Sequence, residues 1–418
     1  MKKKRVKHFD FARKPGRPGF LLTWAKYMIS WPDLRKRKFK LKKKKMDQVN
    51  APYLLLVNHS STVDYSIMLR ATHPHPVNNL LTLKEFSTYP EPLLRSMGVV
   101  GTRKIAGDRY LLKNIRYCLN QLKSIFVLFP EGQYSLDGCT SCLPESLGKL
   151  VTALKVPVVV LRIHGSFVSC PQWNKINKKS HVEAEMIPVV TAKEAEELSP
   201  AQINEKIRES FAYDDFRWQY EHGIRISHPE RARGLHALLY KCPACRKEFR
   251  MDSAGTKLWC RECGKRWEMD EYGRLQARKG ETEFAHIPDW SRWERQCVRE
   301  EIENGTYFFQ DTVQVETLPG SGKFYPQGEG RLVQTPAGTR LECSYYGEDF
   351  TLVRTARSLE SLHIEYDYLG RGDCVDLSIP DDSFWCYLTK RDAVTKLAFA
   401  TEEMHKIAKK RAGAEKRE

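Results

Sequence analysis

The residues best placed to do chemistry form one short run, Asn58-His59-Ser60-Ser61-Thr62-Val63-Asp64, in which a histidine and an aspartate stand five residues apart. Ser61 with an acid three residues on is a helix-start signature, so His59 closes the preceding apolar run and Asp64 sits in the first turn of a helix. The turn between them can bring the two side chains together. A carboxylate holding one imidazole nitrogen leaves the other as a base near neutral pH. With no Gly-x-Ser-x-Gly elbow in the chain, such a pair suits activation of a substrate hydroxyl rather than of a protein nucleophile.

Four further stretches follow in order: Leu83-Lys84-Glu85-Phe86, Gly98 to Arg103, Phe129-Pro130-Glu131-Gly132, and Val156-Pro157 opening an apolar run. In order and spacing, the Asn-His-x4-Asp, Gly…Arg, Phe-Pro-Glu-Gly and Val-Pro motifs resemble those of the glycerolipid acyltransferase family, the lysophosphatidate acyltransferases and their relatives. The resemblance covers about residues 20–225. It implies an O-acyltransferase of phospholipid biosynthesis that moves an acyl group from acyl-CoA or acyl carrier protein to a hydroxyl of a lysophospholipid, 1-acyl-sn-glycerol-3-phosphate first. His59 would be the general base and Asp64 its orienting acid. Asn58, Lys84, Arg103, Glu131 and Gly132 fall at or beside the family's substrate-binding motifs, Lys84 and Arg103 at its phosphate positions. The chain departs from the pattern in three places. Gln133-Tyr134-Ser135 follows Glu-Gly where Thr-Arg or Ser-Arg is usual, which removes one cation. Gly101 stands where Phe is common, and the fourth motif lacks its second proline, with Leu161 in that region.

Cys242-Pro-Ala-Cys245 and Cys260-Arg-Glu-Cys263 form a C-x2-C-x14-C-x2-C pattern. Each pair belongs in a tight turn, and two such turns offer four thiolates in a tetrahedron. The pattern resembles a structural zinc ribbon. Iron held as in rubredoxin is the chemical alternative. Four protein ligands leave no open position for catalysis. A second pair, Cys139 and Cys142, has Cys170 and His164 within about 30 residues as further ligands, and incidental thiols are the competing reading.

The elements that must position these residues are legible from periodicity. Runs at 53–58, 124–129 and 157–163 are apolar on both faces, as in buried strands of a helix-covered sheet, with helical patterns around 62–71, 107–123 and 145–155 between them. After the cysteines, short alternating runs at 307–315, 331–335, 339–345, 350–354, 361–368, 374–379 and 384–389 precede a helical pattern at 391–409. The predicted fold is an α/β acyltransferase domain with a mixed sheet at 51–235, a zinc ribbon at 236–275, and a mainly-β domain with a closing helix at 276–418. By layout the last resembles pleckstrin-homology or GRAM-like modules.

Residues 1–50 form a basic N-terminal arm: 18 Lys/Arg against three Asp carry +15 of the chain's +17. Within it, residues 20–31 place Trp24, Tyr27 and Trp31 on one helical face between lysine-rich flanks, the composition of a membrane-interface helix. An ordinary core-covering helix, and an arm that only solubilises, are the bland alternatives. The expected partners are an anionic membrane surface, a lysophospholipid and an acyl donor, with the chain cytoplasmic and peripheral on the inner face of the membrane. The rival reading is a nucleic-acid-binding protein, with basic arm and ribbon on a degenerate scaffold. Phosphate is the target in both cases. Nucleic-acid binding gives no reason for His59, Asp64, Arg103 and Glu131 in that order.

Overall fold

The computed structural model describes residues 8–103 and 110–414. The basic cluster at 2–7 and the first residues of the helix expected from 107 lie outside them. Seven strands form the first sheet: β1 (Lys40–Lys43), β2 (Leu54–Val57), β3 (Val77–Thr82), β4 (Val99–Thr102), β5 (Ile125–Leu128), β6 (Val158–His164) and β7 (Glu183–Val190). Their order is β1-β7-β6-β2-β5-β3-β4. The five strands from β6 to β4 run parallel, while β7 is antiparallel to β6 and β1 follows β7, so the sheet is mixed as expected.

Successive residues of a strand point to opposite faces. Leu54 and Leu56 therefore join Phe126, Val158 and Val160 in one core, beneath the helices Leu111–Asn120, Ser146–Leu154 and Pro200–Phe211. Leu55 and Val57 join Val127, Val159 and Leu161 in the other, against Ile67 and Met68 of the helix Val63–Thr72 and Leu34 of the helix Phe20–Lys36. This two-sided burial explains the unbroken apolar runs.

Part of the basic stretch is built into the domain rather than left as an arm. Lys40–Lys43 pairs with β7, whose acids answer it: Lys42 Nζ lies 3.5 Å from Glu183 and Lys44 Nζ 3.0 Å from Glu185. Arg37 is fully buried, donating to Asp33 and Asn177.

The cysteine module is a four-stranded antiparallel sheet of β8 (Met251–Ala254), β9 (Lys257–Cys260), β10 (Arg266–Met269) and β11 (Leu275–Ala277). The third sheet holds β12 (Phe309–Thr317), β13 (Tyr325–Thr335), β14 (Gly338–Tyr345), β15 (Glu348–Thr355), β16 (His363–Glu365), β17 (Cys374–Ser378) and β18 (Ser383–Leu388), antiparallel throughout, in the order β15-β14-β13-β12-β18-β17-β16. The helix Val394–Ala414 closes it, burying Val394, Leu397 and Phe399. A helix not expected from the sequence, Ile287–Glu303, runs beside the closing helix, with Arg299 Nε donating to Glu403 at 2.7 Å.

The ribbon has no core of its own. Trp267 packs edge-on against Trp290 at 5.0 Å, within an apolar cluster that runs from Phe167 and Phe216 of the first domain to Leu397 of the closing helix.

Candidate active site

The parallel strands end on one edge of the sheet, where the functional motifs gather. His59 follows β2, and its Nδ1 lies 3.2 Å from Asp64 Oδ2. Asp64 is fully buried and bonded on both oxygens. Oδ2 also accepts from the backbone N–H groups of Ser60 (2.6 Å) and Ser61 (2.9 Å), and Oδ1 accepts from the Ser166 hydroxyl. A buried carboxylate held this way is fixed in position, so it fixes the ring it contacts. The helix starts as expected, yet the Ser61 hydroxyl accepts from Val63 N–H rather than closing a capping box with Asp64. The imidazole, 22% exposed, lies between the rings of Phe129 and Tyr134, with centroids at 4.2 and 4.0 Å.

The Phe-Pro-Glu-Gly turn folds onto this pair. Gly132 adopts φ +68° in the turn, where its N–H donates to Phe129 O, a conformation that glycine reaches without strain. Ser135 N–H donates to His59 O at 2.7 Å, tying the turn to the histidine's own backbone. Glu131 is buried beside it. Burial pushes its carboxyl up to about 8, against the pull of neighbouring hydrogen bonds from Ser141 and His59 N–H, and Tyr213 Oη lies 3.3 Å away. Tyr134, against the His59 ring, stands at the position of the usual cation, and Gln133 before it is also buried, with its Oε1 unpartnered. Asn58 is beside His59 but uses both ends of its amide on β6, donating to Ile163 O at 2.9 Å and accepting from Ile163 N–H at 2.7 Å. That clasp positions the end of β2.

Lys84 and Arg103 follow β3 and β4, and their partners come from the third sheet. The Lys84 ammonium pairs with Glu365 of β16 and lies over the rings of Tyr368 (4.7 Å) and Trp385 (5.8 Å). Arg103, 6% exposed, donates from its two terminal nitrogens to Leu318 O (2.8 Å), Pro319 O (2.6 Å), Asp381 O (2.9 Å) and Ser383 Oγ (3.2 Å). Hydrogen bonds from a charged donor contribute about 1.5–3 kcal/mol each. The apolar surroundings bind as well: Phe9, Leu83, Phe86 and Val99 share one buried cluster with Leu318, Tyr368, Trp385 and Tyr387. The Gly101 departure is explained here. A Cβ on Gly101 would lie 2.4 Å from the Phe9 ring, so an N-terminal aromatic fills the space that a side chain at 101 would need.

The fold thus gathers His59, Asp64, Glu131 and Gly132, four of the residues that the sequence singled out. Sequence reasoning missed Ser166, which buttresses Asp64, and Glu365, Tyr368 and Trp385, which hold Lys84. No local signal marks residues that meet across 102 and 281 positions of chain.

The four cysteines of the ribbon come together, all four sulfurs within 4.8 Å of one another. Cys242 and Cys263 Sγ are 3.8 Å apart and Cys245 and Cys260 Sγ 3.7 Å. Zinc–sulfur bonds of about 2.3 Å in a tetrahedron require sulfurs about 3.8 Å apart, so the set fits zinc and is far too open for disulfides. The two knuckles repeat: Arg246 N–H donates to Cys242 O and Gly264 N–H to Cys260 O, both donors at positive φ. Cys139, Cys142, Cys170 and His164 form no such group among the described residues.

Residues 38–164 match the family model described as Acyltransferase, a span that includes every motif residue from His59 to Pro157. Among solved structures, the chain is similar to the crystal structure of the 1-acyl-sn-glycerophosphate (LPA) acyltransferase PlsC from Thermotoga maritima. The identity is 16% and the TM-score 0.35, over 45% of this chain and 78% of that one. No curated protein matches the chain.

Proposed function

We propose that this chain, whose residues 38–164 are an acyltransferase-family domain, transfers a fatty acyl group from the thioester of acyl-CoA or acyl carrier protein to a hydroxyl of a lysolipid. The buried, fully bonded Asp64 behind His59 carries the reading. His59 Nε2 takes the proton of the acceptor hydroxyl as its oxygen attacks the thioester carbonyl. Asp64 holds Nδ1–H and stabilises the imidazolium. The carbon–sulfur bond then breaks, and the thiolate leaves with that proton. General-base help of this kind contributes about 10²–10⁴ in rate. Phe129 and Tyr134 keep the ring in one plane.

The order of the motifs points first to 1-acyl-sn-glycerol-3-phosphate as acceptor. One observation favours a different head on the same hydroxyl: both motif cations already have partners. The enzyme would work at a membrane surface. No helix among the described residues is long and apolar enough to cross a membrane. The helix Phe20–Lys36 instead exposes Phe20, Leu21, Trp24, Met28 and Ile29, next to a lysine-rich stretch, as an in-plane helix does. The ribbon cysteines would hold one structural zinc, which supplies folding energy and no chemistry.

The test is to incubate the purified full chain with labelled acyl-CoA or acyl carrier protein and a panel of lysolipids, and to identify the products by mass spectrometry. A diacyl product, absent when His59 is replaced, supports the reading. Thioester hydrolysis with no transfer to any acceptor overturns it.

A further inference from the structure

Three observations bear on what the acceptor carries beside its reacting hydroxyl. The Lys84 ammonium is enclosed by a carboxylate and two aromatic faces, all from the third sheet or the loops beside it. The four N–H groups at the tip of Arg103 meet four acceptors, three of them backbone carbonyls that cannot be withdrawn by a rotamer change. The contact between the domains is an apolar cluster as well as a polar one, with Phe86 and Trp385 both buried in it, so the covering sheet is part of the resting fold.

An entering phosphate dianion would meet a poor site. It would have to displace Glu365 from Lys84 and leave that carboxylate beside it. Around Arg103, Asp376, Asp381 and Asp382 add further negative charge. Like charges at close range oppose binding more strongly than a missing contact does. Nearer His59, Tyr134 stands where a cation would have recruited phosphate, and Gln133 beside it keeps its buried Oε1 unpartnered. An unpartnered buried oxygen is suited to a hydroxyl donor. The Glu131 carboxyl, raised by burial, adds no full negative charge at neutral pH.

We propose that the acceptor of this enzyme is a lipid with an uncharged, hydroxyl-bearing head, glycerol or sugar, and that Glu365 is a specificity-determining residue that closes the Lys84 position to a phosphomonoester. This rests on the acyltransferase reading of His59 and Asp64. It departs from the motif order at one point only. The hydroxyl chemistry is kept, and the charge selection is reversed by a side chain from the appended domain.

The experiment measures kcat/KM of the full chain for three acceptors sharing one acyl chain: 1-acylglycerol-3-phosphate, 1-acylglycerol, and its glycosylated counterpart. Either neutral acceptor should exceed the phosphorylated one by at least about tenfold, the scale on which a mismatched polar site discriminates. The better of the two neutral acceptors identifies the head as glycerol or sugar. In Glu365→Gln, which keeps the size of the side chain, the ratio of phosphorylated to neutral kcat/KM should rise at least about tenfold, mainly through KM for the phosphorylated acceptor. Binding of sn-glycerol-3-phosphate by calorimetry gives a readout that needs no turnover: none to the wild-type chain at millimolar concentration, and measurable binding to Glu365→Gln. A wild-type preference for the phosphorylated acceptor, sub-millimolar binding of glycerol-3-phosphate, or an unchanged ratio in Glu365→Gln would overturn the proposal. Failure of the underlying reading looks different: His59→Ala would then match the wild type on all three acceptors.

Discussion

At His59 the ring's partner Asp64 is five residues away on one turn, with the Ser166 hydroxyl added from 102 residues along the chain. At Lys84 and Arg103, on the same edge of the same sheet, the hydrogen-bond partners lie 215 to 281 residues down the chain. Both places carry residues of one motif series, and spacing alone reads them alike. The structure separates them: one is set within the first domain by a strand end, a helix start and the Ser166 hydroxyl behind them, the other is a docking surface for a second domain. A motif residue's identity tells what it can bond to. Which partner it receives depends on what else in the chain packs against it.

The ribbon belongs with His59 on the local side of that comparison, and its disruption gives the largest expected effect. Metal analysis of the purified chain should find one zinc, and Cys242→Ser should lose it. Structural zinc sites contribute on the order of 10 kcal/mol of apparent folding energy. The shared apolar cluster around Trp267 and Trp290 should loosen with the ribbon, while the cores either side of β2 persist. Iron in place of zinc, or a variant that melts like the wild type, would show that the cysteines are not a structural metal site.

Asp64→Asn comes next. An amide at this position turns two N–H groups toward Ser60 N–H, Ser61 N–H or the imidazole, so the ring loses its orientation. Activity should fall by about 10²–10⁴. Retention of wild-type turnover would leave His59 with no need of its local partner.

The remote side is tested by Arg103→Met. Removing one member of a buried charged network costs about 3–5 kcal/mol, and thermal melting should show it as lost stability even without substrate. A variant as stable as the wild type, with only its KM raised, would instead make Arg103 a ligand of substrate.

These expectations also mark what could be read from the chain alone. The strands β2, β5 and β6 were evident because burial on both faces leaves unbroken apolar runs, and β12 and β14 of the third sheet because one buried face leaves alternation. The helix Ile287–Glu303 was missed, since its many charges, Arg299 among them, mask the stripe carrying Trp290 and Val298. β1 is nearly all lysine and is a strand only because β7 brings Glu183 and Glu185 alongside. Asp64 was legible beside His59 because both lie on one turn. Glu365 was not, because nothing near residue 84 records which strand of a distant sheet will arrive there.

The smallest expected effect concerns the helix Phe20–Lys36. Leu21 and Ile29 are 79% and 80% exposed. Burying such a side chain contributes about 1.5–3 kcal/mol, so Leu21→Ser with Ile29→Ser should weaken co-sedimentation with anionic vesicles by at least about tenfold. Added salt should weaken the electrostatic share further, since screening acts within about 8 Å at physiological strength. Selection of nucleic acid over vesicles, when both are present, would contradict the membrane role.

The most direct measurement of the central claim is acyl transfer by His59→Ala, with the fold checked by thermal melting and the best acceptor of the wild-type chain in excess. The fold should stay intact and the rate should be at least about 10²-fold lower. A folded His59→Ala chain that still transfers acyl groups at the wild-type rate would contradict it.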